Sequence, residues 1–381
     1  MKFFHISDLH LGKRVNEFSM IDNQADILQK IIGLAAENRP DAVLIAGDVY
    51  DKSMPAVEAV LLLDDFLVRL NEMSITVFMI SGNHDSAERV AFGADLLKHS
   101  GVHIVQSYDG KLEPITLSDE FGVINIWMAP YLKPSLVRGY FPEMTIDTYS
   151  GAVFAALGNI ELNTEVRNLL IAHQFVTGAE ISEGSEELSV GGSDNIDGSL
   201  FDGFDYVALG HIHRPQNIKR ETMRYCGTPL KYSLSEINQQ KSVTVVEMKN
   251  KGELQISLLP LAPLHEMREI RGNYDEIMYR GFYRGVDTEN DYFHITLTDE
   301  YDEIDALAKL RNVYKNIISF KYDNKRTQAD AVFERVSDLN DKKPIDLFGE
   351  LFAAQNGGPM DEYQESYVRG LLEKIWEEEN K

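Results

Sequence analysis

The sequence predicts an α/β protein: a two-layer β-sandwich flanked by helices, then a small α+β accessory domain and a helical C-terminal tail. Three observations predict it. Strand-length apolar runs alternate with helical periodicities through the first third of the chain. Strand-like runs without long helices follow. Beyond Arg335 the pattern turns helical. At 381 residues the chain exceeds what one hydrophobic core serves, so two or three units are expected.

Lys2 to Ile6 opens as a strand. Met20 to Glu37 repeats Ile21, Ala25, Leu28, Ile31, Ile32 and Ala35 on one face and stops before Arg39-Pro40. Ala42 to Ala46 is a continuous apolar strand of the kind buried on both faces. Val57 to Leu70 is a second helix, with Pro55 just ahead of it. Ile75 to Ile80 is a strand and Arg89 to Lys98 a third helix. Val123 to Met128 and Leu169 to Ala172 are strands around a helix at Ala152 to Leu157. Tyr206 to Leu209 ends in Gly210, and Ser242 to Glu247 and Leu254 to Leu259 follow as strands. Val176 to Gly203 lacks periodicity and reads as a long functional loop.

The chain changes character around Pro260 to Pro263. His265 to about Ala331 reads as α+β, with a helix near Tyr274 to Tyr279 and strands at Tyr292 to Leu297 and Ile317 to Tyr322. Pro344 to Ala354 and Glu362 to Glu379 are amphipathic helices, the second carrying Tyr363, Tyr367, Leu371, Leu372, Ile375 and Trp376 on one stripe. The expected domains are 1–262, 263–335 and 336–381.

The net charge of −24 argues against loose, non-specific DNA binding by this chain alone. Part of the acid lies in one run: Phe175 to His213 holds eight carboxylates and no Lys or Arg, which reads as a solvated loop face. Cys226 is the only cysteine, so an internal disulfide is excluded and a reducing, cytoplasmic setting fits. No apolar run has membrane-spanning length, and the start, already a strand followed by a charged motif, does not read as a signal peptide.

The chemistry lies at strand ends. Asp8-Leu9-His10, Gly47-Asp48, Gly82-Asn83-His84-Asp85, Ala172-His173 and His211-Ile212-His213 each follow an apolar run. Asp8 with His10, and His211 with His213, are two residues apart and would share a face on an extended backbone. The two oxygens of Asp48 suit it to bridge two ions. Asn83 offers a neutral amide oxygen. Its neighbour His84 should point elsewhere, free to donate a proton or hydrogen bond, with Asp51 and Asp85 as candidates to orient it or other ligands. Imidazole, carboxylate and amide without thiolate point to Mn(II), Fe(II) or Zn(II). Two such ions about 3.5–4 Å apart grip a phosphate and activate water. His99, His103, His265 and His294 sit in no such motif and read as structural. Lys13, Arg14, Arg89 and Arg214 lie near the motifs and are read either as phosphate contacts or as solvated surface.

These five segments resemble the motifs of the calcineurin-like metallophosphoesterases. Ile6 to Gly12, Gly210 to Pro215 and Gly227 to Ser233 further resemble the SbcD family of bacterial nuclease subunits, relatives of the double-strand-break repair nucleases. The likeness covers essentially the whole chain and is strongest up to about Glu236. It implies a metallophosphoesterase fold, one metal on Asp8, His10, Asp48 and His213, a second on Asp48, Asn83, His173 and His211, and His84 as the catalytic histidine. It implies manganese, and DNA as substrate: a 3'-5' double-strand exonuclease and single-strand or hairpin endonuclease in repair, recombination and replication. It also implies a DNA-contacting capping domain, C-terminal helices that bind the SMC-like ATPase SbcC, and a homodimer within a heterotetramer. Asp51 stands where some archaeal members have a histidine. The rival reading is a stand-alone phosphodiesterase for cyclic nucleotides or other small phosphates, which would need neither accessory domain nor tail.

Overall fold

The computed structural model describes residues 1–180 and 194–324 and, further on, residues 345, 348, 349, 352, 359–361, 363–368 and 371. Residues 181–193 of the expected long loop, and most of both expected tail helices, lie outside the described residues.

Two six-stranded sheets form the sandwich. The first runs Leu254–Pro260, Ser242–Met248, Lys2–Ile6, Ala42–Ala46, Thr76–Ile80 and Val102–Val105. Its last four strands are parallel. The second runs Gln216–Ile218, Arg220–Tyr225, Tyr206–Gly210, Arg167–His173, Gly122–Ala129 and Ile115–Asp119, with its four central strands parallel.

Alternation along each strand divides the side chains between two cores. Phe3, Leu44, Phe78 and Ile80 pack between the sheets against Ile126, Leu169, Ile171 and Tyr206. Val43, Ile45 and Val77 face outward, onto Ile27, Leu28 and Ile31 of helix Ile21–Asn38 and Leu63, Phe66 and Leu70 of helix Val57–Glu72. Trp127, Leu170 and Val207 face the other way, onto Ala152, Val153 and Ala156 of helix Tyr149–Gly158. The helix–sheet–sheet–helix layering explains the continuous apolar runs: these strands are covered on both faces.

The expected helix at Arg89 to Lys98 is broken. Ala87–Val90 and Ala94–Leu97 are single turns separated by Gly93, whose φ of +77° no right-handed helix accommodates. The Val102–Val105, Ile115–Asp119 and Arg220–Tyr225 strands have no counterpart in the sequence reading, because polar and half-exposed residues interrupt their apolar signal.

The chain divides into two compact units. The first comprises Met1–Arg271, Asp275–Ile295 and Asp305–Phe320, and the second Gly272–Tyr274, Thr296–Ile304 and Lys321–Lys381. Besides the sandwich, the first carries most of a three-stranded sheet ordered Met267–Gly272, Tyr292–Leu297, Asn316–Tyr322. In the second, Asp299 ties the local turns, accepting from Tyr274 N at 2.8 Å and from Asn324 Nδ2 at 2.9 Å. Among the described residues no helix is long and apolar enough to cross a membrane.

Candidate metal centre

All seven candidate ligands and His84 sit at or just past the C-terminal ends of parallel strands. Asp8 and His10 follow Lys2–Ile6, Asp48 follows Ala42–Ala46, and Asn83 and His84 follow Thr76–Ile80. His173 closes Arg167–His173, and His211 and His213 follow Tyr206–Gly210.

Drawing these ends together takes unusual backbone. Asp8, His10, Asp48 and His211 have φ of +54°, +44°, +47° and +104°, a region that costs a non-glycine residue about 1–3 kcal/mol. The extended geometry expected for the two i, i+2 pairs is therefore not what orients them. An extended strand would carry the side chains past the rim; positive-φ turns fold them back over it. Backbone bonds hold the first two loops in register: Asp8 N to Gly47 O at 3.0 Å, His10 N to Asp48 O at 3.0 Å and Leu11 N to Val49 O at 2.9 Å. Two glycines permit the approach. A Cβ on Gly210 would stand 1.9 Å from Ala46 O, and one on Gly82 would stand 2.1 Å from Asp48 Oδ1.

Among the described residues the donor atoms gather in two groups linked by a third. Asp8, His10 and His213 have ligand atoms within 4.8 Å of one another, as do Asp48, His173 and His211, and His10, Asp48 and His84 form the link. Atoms bound about 2.1 Å from one metal lie roughly 3.0–3.4 Å apart at octahedral or tetrahedral angles. His10 Nε2 and His213 Nε2 are 3.1 Å apart. Asn83 Oδ1 is 3.0 Å from His173 Nε2 and 2.9 Å from His211 Nδ1, and Asp48 Oδ2 is 3.3 Å from His173 Nε2. Facing imidazole nitrogens at such distances need a proton or a cation between them, so the donor set fits a pair of divalent metals. Asp48 Oδ2 also stands 3.8 Å from His10 Nε2. Asp48 Oδ2 thus faces both groups, while Oδ1 accepts the His84 N–H at 2.9 Å.

The electrostatics agree. Burial alone would raise Asp48, but the imidazoles of His173, His10 and His84 hold it well below the usual carboxylate range. Burial works against a charge on His173, yet Asp48 and Asp8 push it up to about 9. Burial, reinforced by His173, takes His211 down to about 3. The cavity thus favours positive charge beside Asp48.

Asn83 and His84 diverge as expected. His84 faces Asp51 O with Nδ1 at 3.1 Å and sets its ring edge-on to His10, centroids 4.9 Å apart. Asp51 therefore orients His84 through its carbonyl, and its carboxylate instead binds Lys13 Nζ at 2.8 Å. Of the two roles open to Asp85, its contacts serve the ligand loops rather than His84: its carboxylate accepts from Val49 N, Tyr50 N and Gly82 N, pinning two ligand loops together. Cys226 is buried with Sγ 3.0 Å from Ser7 Oγ. The other five histidines stay out of these groups: His5 meets Tyr206 OH, His99 meets Asp95 O, His103 stacks on Phe78, His265 lies edge-on to Tyr292 and His294 meets Ser319. Of the basic residues, Arg214 pairs with Glu180. Lys219 and Lys251 pair with Asp197 and Asp205, so, with Glu180, three described carboxylates of the acidic run form ion pairs at the surface.

Three supporting residues escaped the sequence reading. Gln24 donates to His10 O at 2.7 Å and accepts from Gly12 N at 2.9 Å, fixing the first loop. Tyr131 stacks on His211, centroids 6.1 Å apart and planes 24° apart; its place just past strand Gly122–Ala129 was the available signal. Glu236 lies beneath His213, with Oε1 3.3 Å from Nδ1, and no local motif marks it.

The family profile of calcineurin-like phosphoesterases matches residues 1–215. The chain belongs to this family. A second profile, described as the type 5 capsule protein repressor C-terminal domain, matches residues 263–356. A relative from Staphylococcus epidermidis, the D component of the nuclease SbcCD, is 34% identical over 322 residues, 84% of each chain. Among solved structures, a dimetal phosphatase from Danio rerio aligns over 69% of this chain and 98% of its own, at 11% identity and a TM-score of 0.40. The protein TT1561 of Thermus thermophilus aligns over 68% and 98%, at 10% identity and 0.38. Scores this low carry no argument. For a calcineurin-like phosphoesterase, a centre for two divalent metals is the expected equipment, and the paired donor groups fit it.

Proposed function

We propose that this chain is the nuclease subunit of a DNA-end-processing complex, a two-metal phosphodiesterase that hydrolyses DNA. The single observation that carries the reading is its 34% identity, over 84% of both chains, to the D component of an SbcCD nuclease. The ligands are Asp8, His10, Asp48 and His213 for one ion and Asp48, Asn83, His173 and His211 for the other, and the ions are Mn(II). When bound, such ions supply charge stabilisation at the phosphate and activate water. The chain's own part is positioning. Asp48, whose Oδ2 faces both donor groups, would be the ligand common to both ions. His84, anchored through Nδ1 on the Asp51 carbonyl, keeps Nε2 to pass a proton to the phosphate or leaving oxygen.

The domain reading is a nuclease domain at 1–262, a DNA-contacting cap at 263–335 and a tail at 336–381. The tail docks an SbcC-type SMC-like ATPase; exposed Tyr363 and Tyr367 support this. A second copy of the chain covers helix Val57–Glu72, which leaves Val57, Leu61 and Val68 exposed. The complex works in the cytoplasm, at the nucleoid.

The test incubates the chain and Mn(II) with a labelled DNA hairpin, with and without the cognate ATPase and ATP, and separately with a chromogenic diester. Cleavage of the hairpin, enhanced by the ATPase, is expected. Hydrolysis of the diester alone, with no DNA cut under any condition, would favour the stand-alone phosphodiesterase.

A further inference from the structure

The four histidines of the metal centre are not held alike. His173 Nδ1 donates to a backbone carbonyl, Ala46 O, at 2.8 Å. His10 Nδ1 is buried with no hydrogen-bond partner, and Asp51 Oδ1 stands 3.8 Å off. His211 turns Nδ1 toward Asn83 Oδ1. His213 meets a fully buried carboxylate through its outer nitrogen: Glu236 Oε1, 3.3 Å from Nδ1.

Glu236 is 0% exposed, so its charge needs compensation. It has it. Lys241 Nζ, 3% exposed, reaches Oε2 at 2.6 Å, and the hydroxyls of Ser233 and Thr228 stand at 3.0 Å. Lys241 is itself saturated, with His213 O at 3.0 Å, Thr228 Oγ1 at 2.7 Å and Gln239 Oε1 at 2.8 Å. The same lysine thus grips the backbone of His213 while neutralising the carboxylate under its ring. Burial pushes Glu236 up, but Lys241 and His213 bring it down to about 2.

We infer that Glu236 and Lys241 form a buried positioning pair that fixes the His213 tautomer and ring orientation for one of the two metal sites, the one shared with Asp8 and His10. The inference rests on the two-metal reading and deepens it. With Nδ1–H directed at an ionised carboxylate, Nε2 keeps its lone pair toward His10 and the first ion, and the ring becomes a stronger donor. Among the described residues the hydrogen bonds of Glu236 and Lys241 reach His213 and no ligand of the second group, Asp48, Asn83, His173 and His211. The pair therefore acts on one site and leaves the other alone.

The test is a Mn(II) titration of the full chain, with bound and free metal read by electron paramagnetic resonance, and apo-protein melting measured alongside. Wild type is expected to take two ions and to give the signal of a spin-coupled pair. Glu236→Gln leaves Lys241 buried without its counter-charge, so the decisive variant is Glu236→Gln with Lys241→Met, which makes the pair neutral. Both variants should weaken one site about 10–100-fold, change the other less than about threefold, and lose the coupled signal at sub-saturating metal, with the double variant melting close to wild type. Two ions bound by the double variant with wild-type affinity and coupling would overturn the inference and leave the pair a structural element only. Equal weakening of both sites would also overturn it. Wild type that binds no metal would instead sink the two-metal reading itself.

Discussion

The strands that bear the metal centre have two unlike regions. Their bodies are apolar, regular and covered on both faces: Ala42–Ala46 and Tyr206–Gly210 are buried at every residue. A residue or two beyond, at the rim, the same chains become polar and turn through positive φ at Asp8, His10, Asp48 and His211. The body supplies stability and the rim spends some of it on bringing donors together. Within one strand, the two roles therefore separate by only a few residues, and substitutions should separate them too.

The sharpest break is Asp48→Ala. It removes the one oxygen that faces both donor groups. Both ions and all phosphodiester cleavage are expected to be lost. Apo melting should fall too, because His173 and the His84 N–H lose their buried partner. Elemental analysis checks the loss of metal, and an Asp48→Ala chain that still binds two ions would refute it. Gly210→Ala comes next. Its Cβ has no room against Ala46 O, and the shift it forces displaces His211. A displacement of that order costs about a hundredfold in rate, measurable as kcat on a diester or DNA substrate.

A milder probe is pH. His173 is held near 9 in the metal-free chain, so an entering ion must displace its proton. Metal affinity should rise with pH toward 9 by about tenfold per unit for one released proton. Calorimetry in buffers of different ionisation enthalpy reads that proton directly; affinity independent of pH between about 7 and 8.5 would refute it. The smallest effect on the centre is expected from the body. Leu44→Ala opens a cavity between the sheets and should lower stability by about 2–5 kcal/mol, yet leave two ions bound per folded chain.

The same division explains what was legible in the sequence. Strand bodies such as Ala42–Ala46 announce themselves through unbroken apolar runs, and residues placed just after them, Asp48 or His211, are legible as candidate ligands because their chemistry sits at a predictable end. Backbone sign is not legible that way. Nothing in Asp8-Leu9-His10 announces that two non-glycine residues adopt positive φ, which is why an extended geometry was expected and turns were found. Glu236 is hidden for another reason: it is 23 residues from His213 in sequence, on a short turn at Leu234–Glu236, and only the folded sheet brings them together. Polar strands such as Ile115–Asp119 stay hidden because their exposed face dilutes the apolar pattern.

Anomalous diffraction from crystals equilibrated with Mn(II) tests the central claim most directly. Two peaks about 3.5–4 Å apart are expected, one among Asp8, His10 and His213 and the other among Asn83, His173 and His211, with Asp48 between them. A rim without anomalous density at saturating Mn(II) would contradict it.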